Sequence, residues 1–431
     1  MQILLTGASG FIGQHLLSAL LAEGHQIVGC VRQPERWQTQ FPDVKWLECD
    51  YSQDHNPQVW LSRLDQIDVV INAVGIIRQK RGQRFEDLHT HAPIALFQAA
   101  EQVGIRKIIQ ISALGANENA ESVYHQSKHA ADQALLALDV EAVILQPSIV
   151  IGRGGGSTTL FSAMAALPWI PIIGQGNQQL QPIFIEDLTA CVLALLRNWP
   201  GNRQQLELVG SQRVTFLQLL VMIRHWLKLR PTTAWFIPLP IMKILARINN
   251  WLGMGPLNSE NLGMLLRGNY GDPTPITTLT GIQPRRIETS LRDNPATIAD
   301  YWHARLFFLR PLLRLSIGFL WLFTGIVSAF IYPLEESYQL LAATGISGIW
   351  APIMLYSASV LDGMLGIATL FNYKIRLVVA LQLLLILSYM VIITIALPAL
   401  WIHPFGPITK NLPLIVATLI MLVFEDKQGV K

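Results

Sequence analysis

Apolar and polar positions follow two different regimes along the 431-residue chain. In the front, short apolar runs read as strands: Gln2 to Thr6 (QILLT), Gln26 to Val31 (QIVGCV), Asp68 to Ala73 (DVVINA) and Lys107 to Ser112 (KIIQIS). Between them apolar residues recur at helical spacing, from Phe11 to Ala22 before Glu23-Gly24, and from Pro93 to Val103. Strands alternating with helices predict an α/β domain, a doubly wound parallel sheet covered on both faces. From Ile151 to about Asp300 the periodicity weakens, and Gly152-Arg153-Gly154-Gly155-Gly156 reads as a mobile loop able to close over a site. Trp235 to Leu252 is strongly apolar with Lys243 and Arg247 four apart, a helix suited either to a lipid surface or to the wall of a substrate pocket. Beyond Arg310 come four apolar segments, about Leu312 to Tyr332, Ile353 to Phe371, Leu377 to Leu400 and Leu412 to Phe424. The first three are long enough to cross a bilayer. The fourth is short, and crosses only if Phe405 to Thr409 dips into the interface or the bilayer thins. The expected organisation is an α/β domain over 1–300, with its sheet core in 1–150 and a covering part in 151–300, followed by an all-α four-helix transmembrane domain over 301–431.

Composition sharpens this division. The chain is 51% hydrophobic and 14% charged, with a mean hydropathy of +0.36. Between Pro311 and Phe424 the charged residues are only Arg314, Glu335, Glu336, Asp362, Lys374, Arg376 and Lys410. Water is therefore the solvent of the front and lipid that of the back. Arg310 and Arg314 precede the first segment, Lys374 and Arg376 join the second and third, and Lys427 and Lys431 follow the fourth, while Glu335 and Glu336 lie across the membrane. Positive-inside counting then puts both termini in the cytoplasm with an even number of crossings, despite Lys410 on the far side. Met1 leads straight into a strand, with no secretory leader pattern, which agrees with a cytoplasmic front domain. A net charge of +3 without a basic block predicts no nucleic-acid partner. Cys30, Cys49 and Cys191 form neither a disulfide framework nor a metal pair, and no metal is expected. Asp362, mid-segment in apolar surroundings, is a functional candidate or a neutral interhelical hydrogen-bond partner. Trp401 and His403 read as interfacial belt residues.

The first turn carries the chemistry. Gly7, Gly10 and Gly13 lie between a strand and a helix, where backbone N–H groups and the positive helix end receive a pyrophosphate. Thr6-Gly7-Ala8-Ser9-Gly10-Phe11-Ile12-Gly13 resembles the GxxGxxG turn of the short-chain dehydrogenase/reductase superfamily, in its extended or atypical branch, which implies a Rossmann-type fold holding a nicotinamide cofactor. Further residues resemble that family in chain order. Asp50-Tyr51 resembles its adenine-contacting pair, and Asn72-Ala73-Val74-Gly75 the turn that lines the cofactor. Tyr124 and Lys128 resemble its YxxxK pair. At i and i+4 they share a helix face, so the ammonium would lower the phenol pKa toward the working range of a proton donor or acceptor at a carbonyl. Pro147-Ser148-Ile149 resembles the strand-end motif against the nicotinamide, and Asp187 resembles the acidic residue that starts a nearby helix, where it equally serves as a plain cap.

Two departures shape the expected function. The residues at the end of the Lys107 strand are Ser112-Ala113, so Ser112 matches the first residue of the family's pair and Ala113 stands where its catalytic hydroxyl belongs. A missing donor at the substrate oxygen removes on the order of 3 kcal/mol of transition-state stabilisation. KIIQISALGA and Gly281-Ile282-Gln283-Pro284-Arg285 resemble the atypical members grouped with the nucleotide-binding accessory subunit of respiratory complex I. After the second strand, Cys30-Val31-Arg32-Gln33 offers no carboxylate for a ribose 2′-OH. Arg32 (or Arg36) suits a 2′-phosphate, which favours NADP(H) over NAD(H). The back, with HPFGPITKNLPL, resembles the DoxX-like membrane family. The expectation is a multi-pass protein of the bacterial plasma membrane. It would be an NADP(H)-binding reductase in which Tyr124 gives the proton, Lys128 supports it, Ser112 assists, and an apolar carbonyl or quinone-like molecule is the substrate. The alternative is a cofactor-holding structural or sensing subunit of a membrane complex.

Overall fold

The computed structural model describes residues 1–80, 82–252 and 258–426. The chain divides into two compact units, Met1–Ala304 and Arg305–Lys431.

Seven parallel strands form the sheet of the first unit: β1 (Gln2–Thr6), β2 (Gln26–Val31), β3 (Lys45–Glu48), β4 (Val69–Asn72), β5 (Lys107–Ile111), β6 (Glu141–Pro147) and β7 (Gln204–Leu208). Their order is β7-β6-β5-β4-β1-β2-β3, so the direction of winding reverses between β1 and β4. In such sheets the crevice at the reversal, beyond the strands' C-terminal ends, is where ligands bind. Ile3 and Leu5 of β1 face one way, onto Leu16 and Leu20 of α1 (Phe11–Ala22) and Leu188 and Val192 of α4 (Ile185–Arg197). Leu4 faces the other way with Val28, Val70 and Ile108, onto Leu96 of α2 (Ala92–Gln102) and Ala131 and Leu135 of α3 (Val123–Ala137). Burial on both faces is why these strands are unbroken apolar runs rather than alternating ones. The strand β7 has only Leu206 and Leu208 buried, as a polar edge strand does.

The part after residue 150 has its own apolar cluster, including Ile151, Phe161, Phe184, Phe216 and Leu220. In the glycine-rich stretch from Gly152, expected as a mobile loop, Gly152, Gly154 and Gly155 lie against Phe11, Gly152 also against Ile185, and Arg153 Nη2 reaches Asp300 Oδ2 at 3.1 Å. Two further helices follow, α5 (Leu239–Leu252) and α6 (Ser259–Arg267).

The second unit holds α7 (Leu309–Ile326, prolonged by a π-helical turn to Ile331), α8 (Trp350–Leu370), α9 (Ile375–Ala396) and α10 (Asn411–Glu425). The first three are long and apolar enough to cross a membrane, and α10 is a shorter apolar helix. Small residues bring α7 and α8 together: a Cβ on Gly366 would lie 2.5 Å from the Leu322 nitrogen. Glu425, at the end of α10, accepts from Arg310 Nε at 3.2 Å, Arg314 Nη1 at 3.2 Å and Asn372 Nδ2 at 3.0 Å. Arg376 Nε donates to Asp426 at 2.9 Å. The start of α7, the α8–α9 connection and the end of α10 therefore share one end of the bundle. Lys427 and Lys431, used in the charge counting, lie outside the described residues. Asp362 is 8% exposed, and its Oδ1 has no hydrogen-bond partner among the described residues.

Candidate active site

The glycine turn is built for close approach. Gly7 has φ +69°, and a Cβ there would lie 2.7 Å from the Ala73 oxygen and 2.9 Å from the Val74 nitrogen. A Cβ on Gly13 would lie 2.0 Å from the Gly7 oxygen. Glycine alone lets α1 start directly above β1 and beside the β4 turn. No side chain caps α1 and no acidic residue sits in its first turn, so its leading N–H groups are left to an incoming anion. Ser9 and Gly10 are exposed there, with Phe11 and Ile12 half-buried. The residues present fit a dinucleotide's pyrophosphate. Arg32, exposed beyond the end of β2, has no carboxylate partner among the described residues.

Asp50 closes its own loop, accepting from Ser52 N at 3.0 Å and Ser52 Oγ at 2.7 Å. The Tyr51 ring is buried, and its phenol, held protonated by burial, donates to Asn72 Oδ1 at 3.0 Å. Thr6 Oγ1 donates to the same oxygen at 2.6 Å, and Asn72 Nδ2 donates to Gln110 Oε1 at 2.7 Å. This buried network fixes the turn at Ala73-Val74-Gly75; Tyr51 thus supports the site from beneath rather than facing it.

Tyr124 and Lys128 lie on α3 as the spacing predicts, but their electrostatics run opposite to expectation. The Lys128 ammonium donates to the carbonyls of Val74 at 2.9 Å and Ile111 at 3.0 Å. The Tyr124 ring is packed edge-on by Phe85, His89 and His125, with centroids 5.8, 5.4 and 5.1 Å away. Burial pushes its phenol up to about 12, with the carboxylates of Asp132 and Glu260 adding to the effect, where a lowered value was expected. Ser112 requires a second correction. Its side chain is 4% exposed and its hydroxyl donates to the Asp132 carboxyl group, so it is tied to a buried acid and is not a free donor for substrate. Burial pushes Asp132 up and Lys128 down, each toward its neutral form. Ala113 beside it is buried and brings no hydroxyl.

Several site residues escaped the sequence reading. Asp132 sits one turn beyond Lys128, so the i, i+4 arithmetic that paired Tyr124 with Lys128 would have found it. His89 lies on a π-helical turn, Glu86–His91. Its Nδ1 is 3.0 Å from Ser127 Oγ, and its Nε2 accepts from Ile76 N at 3.0 Å. Ser127 Oγ in turn donates to the Tyr124 carbonyl at 2.8 Å, which makes His89 Nδ1 the protonated nitrogen. Burial and the nearby Lys128 lower His89 to about 2. Glu260 of α6 accepts from Tyr124 N at 2.9 Å, across 136 residues of sequence that no local pattern could bridge. On the outer side of the π turn, His55, Asp87 and His91 bring ligand atoms within 4.8 Å of one another; His55 Nε2 also lies 3.0 Å from the Tyr51 carbonyl. Asp87 and His91 are an i, i+4 pair, and only the fold brings the distant His55 to them.

Pro147, Ser148 and Ile149 end β6 close to the same crevice. Ser148 Oγ donates to the Gln181 carbonyl at 2.7 Å, and Ile149 N to Asn269 Oδ1 at 2.7 Å. The Asp187 carboxylate accepts Arg285 N at 2.9 Å and Arg285 Nε at 2.8 Å, joining two of the stretches singled out in the sequence. A cavity of about 610 Å³ opens elsewhere, lined by His15, Arg153, Trp226, Asp300 and His303 among others; none of the predicted site residues lines it.

Residues 3–205 match the model of the NAD dependent epimerase/dehydratase family, and residues 318–419 that of the DoxX-like family. The chain is a fusion of these two kinds of domain. Among curated relatives, the mitochondrial NADH dehydrogenase (ubiquinone) 1 alpha subcomplex subunit 9 of Arabidopsis thaliana is 28% identical over 253 residues, 56% of this chain and 61% of that protein. The chain thus spans less than two thirds of that relative. The ceramide reductase of Caulobacter vibrioides is 28% identical over 232 residues, 53% of this chain and 71% of that protein. Among solved structures, UDP-glucuronic acid 4-epimerase from Bacillus cereus, in complex with UDP-glucuronic acid and NAD, superposes with a TM-score of 0.53 at 19% identity, covering 71% of this chain and 100% of its own. dTDP-glucose 4,6-dehydratase from Bacillus anthracis, in complex with NAD, gives 0.54 at 15%, covering 72% and 99%. At these identities the likeness is one of fold. The fused chain thus has an NAD-dependent epimerase/dehydratase-type oxidoreductase fold and a membrane domain.

Proposed function

We propose that this fusion is a membrane-anchored, NADP(H)-binding reductase of an apolar carbonyl or quinone-like substrate, in a bacterial plasma membrane with the nucleotide unit cytoplasmic. The observation that carries the reading is the glycine cradle at the start of α1, which opens beside the β4 turn that Lys128 fixes from α3, the helix that also bears Tyr124. Burial pushes the Tyr124 phenol up to about 12, and a protonated phenol suits reduction, giving its proton as an alkoxide develops beside it. Gly7, Gly10 and Gly13 with the α1 N-terminus would hold the pyrophosphate, Asp50 would face the adenine, and Arg32 the 2′-phosphate. Val74, Gly75 and the Pro147-Ser148-Ile149 end of β6 would flank the nicotinamide, which supplies the hydride when bound. Lys128 would keep the β4 turn in place through the Val74 carbonyl. The ceramide reductase relative supports a lipid-like substrate class.

A second reading, a unit that holds NADP(H) without turnover in a membrane complex, is favoured by Ser112, whose hydroxyl is occupied by Asp132 while Ala113 brings none. The complex I relative supports that reading. Tyr124→Phe separates the two. If Tyr124 donates the proton, NADPH oxidation by the full-length protein with membrane-lipid carbonyls or quinones falls by orders of magnitude at unchanged NADPH affinity. A wild type that binds NADPH and oxidises it with no such extract, and whose cellular role survives the substitution, assigns the protein to the second reading.

A further inference from the structure

A helix with apolar residues on two faces needs two apolar neighbours, and α5 finds one of them within its own unit. Met242 and Ala246 turn inward onto Ile173 and Leu262. Ile241, Ile244, Leu245 and Ile248 are exposed, from 44% to 55%, and their i, i+3, i+4, i+7 spacing makes one continuous outer stripe. The strand Ala234–Ile237 just before the helix exposes Trp235 and Phe236. Trp169, at the start of the strand it pairs with, is 63% exposed. Single exposed apolar residues are ordinary, but a stripe of four with aromatic neighbours marks an interaction surface.

We infer that the outer face of α5 lies in the bilayer interface, with the Ile241–Ile248 stripe at the acyl boundary and Trp235 at headgroup level. Two observations select lipid as the occupant. The same chain carries three helices of membrane length from Leu309 onward, which tether this unit to a bilayer. The helix bears exposed Lys243 and Arg247 and no Asp or Glu, the charge pattern that anionic headgroups attract. The inference stands independently of the catalytic reading and bears on its substrate class. Asn250 Nδ2 of α5 donates to Ser259 Oγ at 3.0 Å, and the next residue is Glu260, which holds the Tyr124 backbone. A lipid-seated α5 therefore puts the bilayer two elements from Tyr124.

The test uses the full-length chain in nanodiscs of phosphatidylcholine with a minority of phosphatidylglycerol. A bimane probe is placed at Ile244→Cys or Ile248→Cys, with Val221→Cys, exposed on another helix, as control. The three native cysteines are buried and free. Brominated acyl chains should quench the probe at 244 and 248 and spare it at 221, while aqueous iodide should do the reverse. Iodide quenching at 244 and 248 overturns the inference by showing the stripe in water. Shielding from both quenchers overturns it too, because a protein surface then covers the stripe. NADPH oxidation by the wild type in the same nanodiscs separates the two proposals: lipid quenching at 244 and 248 without any NADPH oxidation leaves this inference standing and overturns the catalytic reading alone.

Discussion

Acidification should loosen the Tyr124 region through two histidines that the fold buries neutral. His89 is fully buried between Phe85 and Tyr124, faces Lys128, and sits at about 2. His125 is 8% exposed, faces Arg267, and sits at about 4. Both folded values lie below the ordinary 6.5, so the stability they contribute is complete above 6.5 and lost as pH falls through the window beneath it. At pH 5 the unfolded chain is favoured by about 1.5 pH units at 1.36 kcal/mol each, or about 2 kcal/mol per histidine. At pH 7 the combined effect is below about 0.4 kcal/mol. Together the two histidines cost about 4 kcal/mol between pH 7 and 5, while Asp132, which burial raises to about 7, takes up a proton in the folded state over the same window and offsets about 2 kcal/mol, leaving about 2 kcal/mol, roughly thirtyfold in the opening equilibrium. Amide hydrogen exchange of the full-length chain in detergent, corrected for intrinsic pH dependence, reads this in peptides covering 85–91 and 122–128. His89→Gln, which cannot titrate, should lessen the acid-induced loss by about 2 kcal/mol relative to the wild type. Equal protection at pH 5 and 7 in the wild type would refute the reasoning, as would an acid-induced loss of protection that both His89→Gln and His125→Gln leave unchanged.

Other outcomes follow from the same geometry. Purified protein should bind NADPH more tightly than NADH, and Arg32→Asp should narrow or reverse the gap by calorimetric titration; equal wild-type affinities would remove the basis for NADP. Gly13→Ala forces a methyl to 2.0 Å from the Gly7 oxygen, so α1 must shift. An overpacking cost of about 1–3 kcal/mol at that turn should weaken NADPH about five- to a hundredfold, and wild-type affinity would contradict the assigned cradle. A reporter fused to the C-terminus should appear on the cytoplasmic side, since Glu425 and Asp426 share one end of the bundle with Arg310 and Arg376; an external reporter would show that α10 does not cross.

Much of the architecture was written in local pattern. Apolar runs two-sided by burial gave β1, β2, β4 and β5 within a residue of their ends, and the four apolar segments anticipate α7 to α10, because the period of a strand or a membrane helix is a property of consecutive residues. The glycine turn, the α3 pair and Arg32 were equally visible, since each is set by spacing along a single element. The edge strand β7 was not, because two buried leucines among polar residues make no pattern. What the sequence could not decide was which groups share a cavity and in what charge state. Tyr124 and Lys128 are i, i+4 in any helix, yet whether the phenol is acidified depends on Val74 and Ile111, which take the ammonium, on Phe85, His89 and His125, which pack the ring, and on the carboxylate of Glu260 at the Tyr124 backbone. Ser112 is a candidate hydroxyl until Asp132, 20 residues on, claims it. Proton affinity is fixed by desolvation and by neighbours brought from distant elements, and only tertiary packing assembles those.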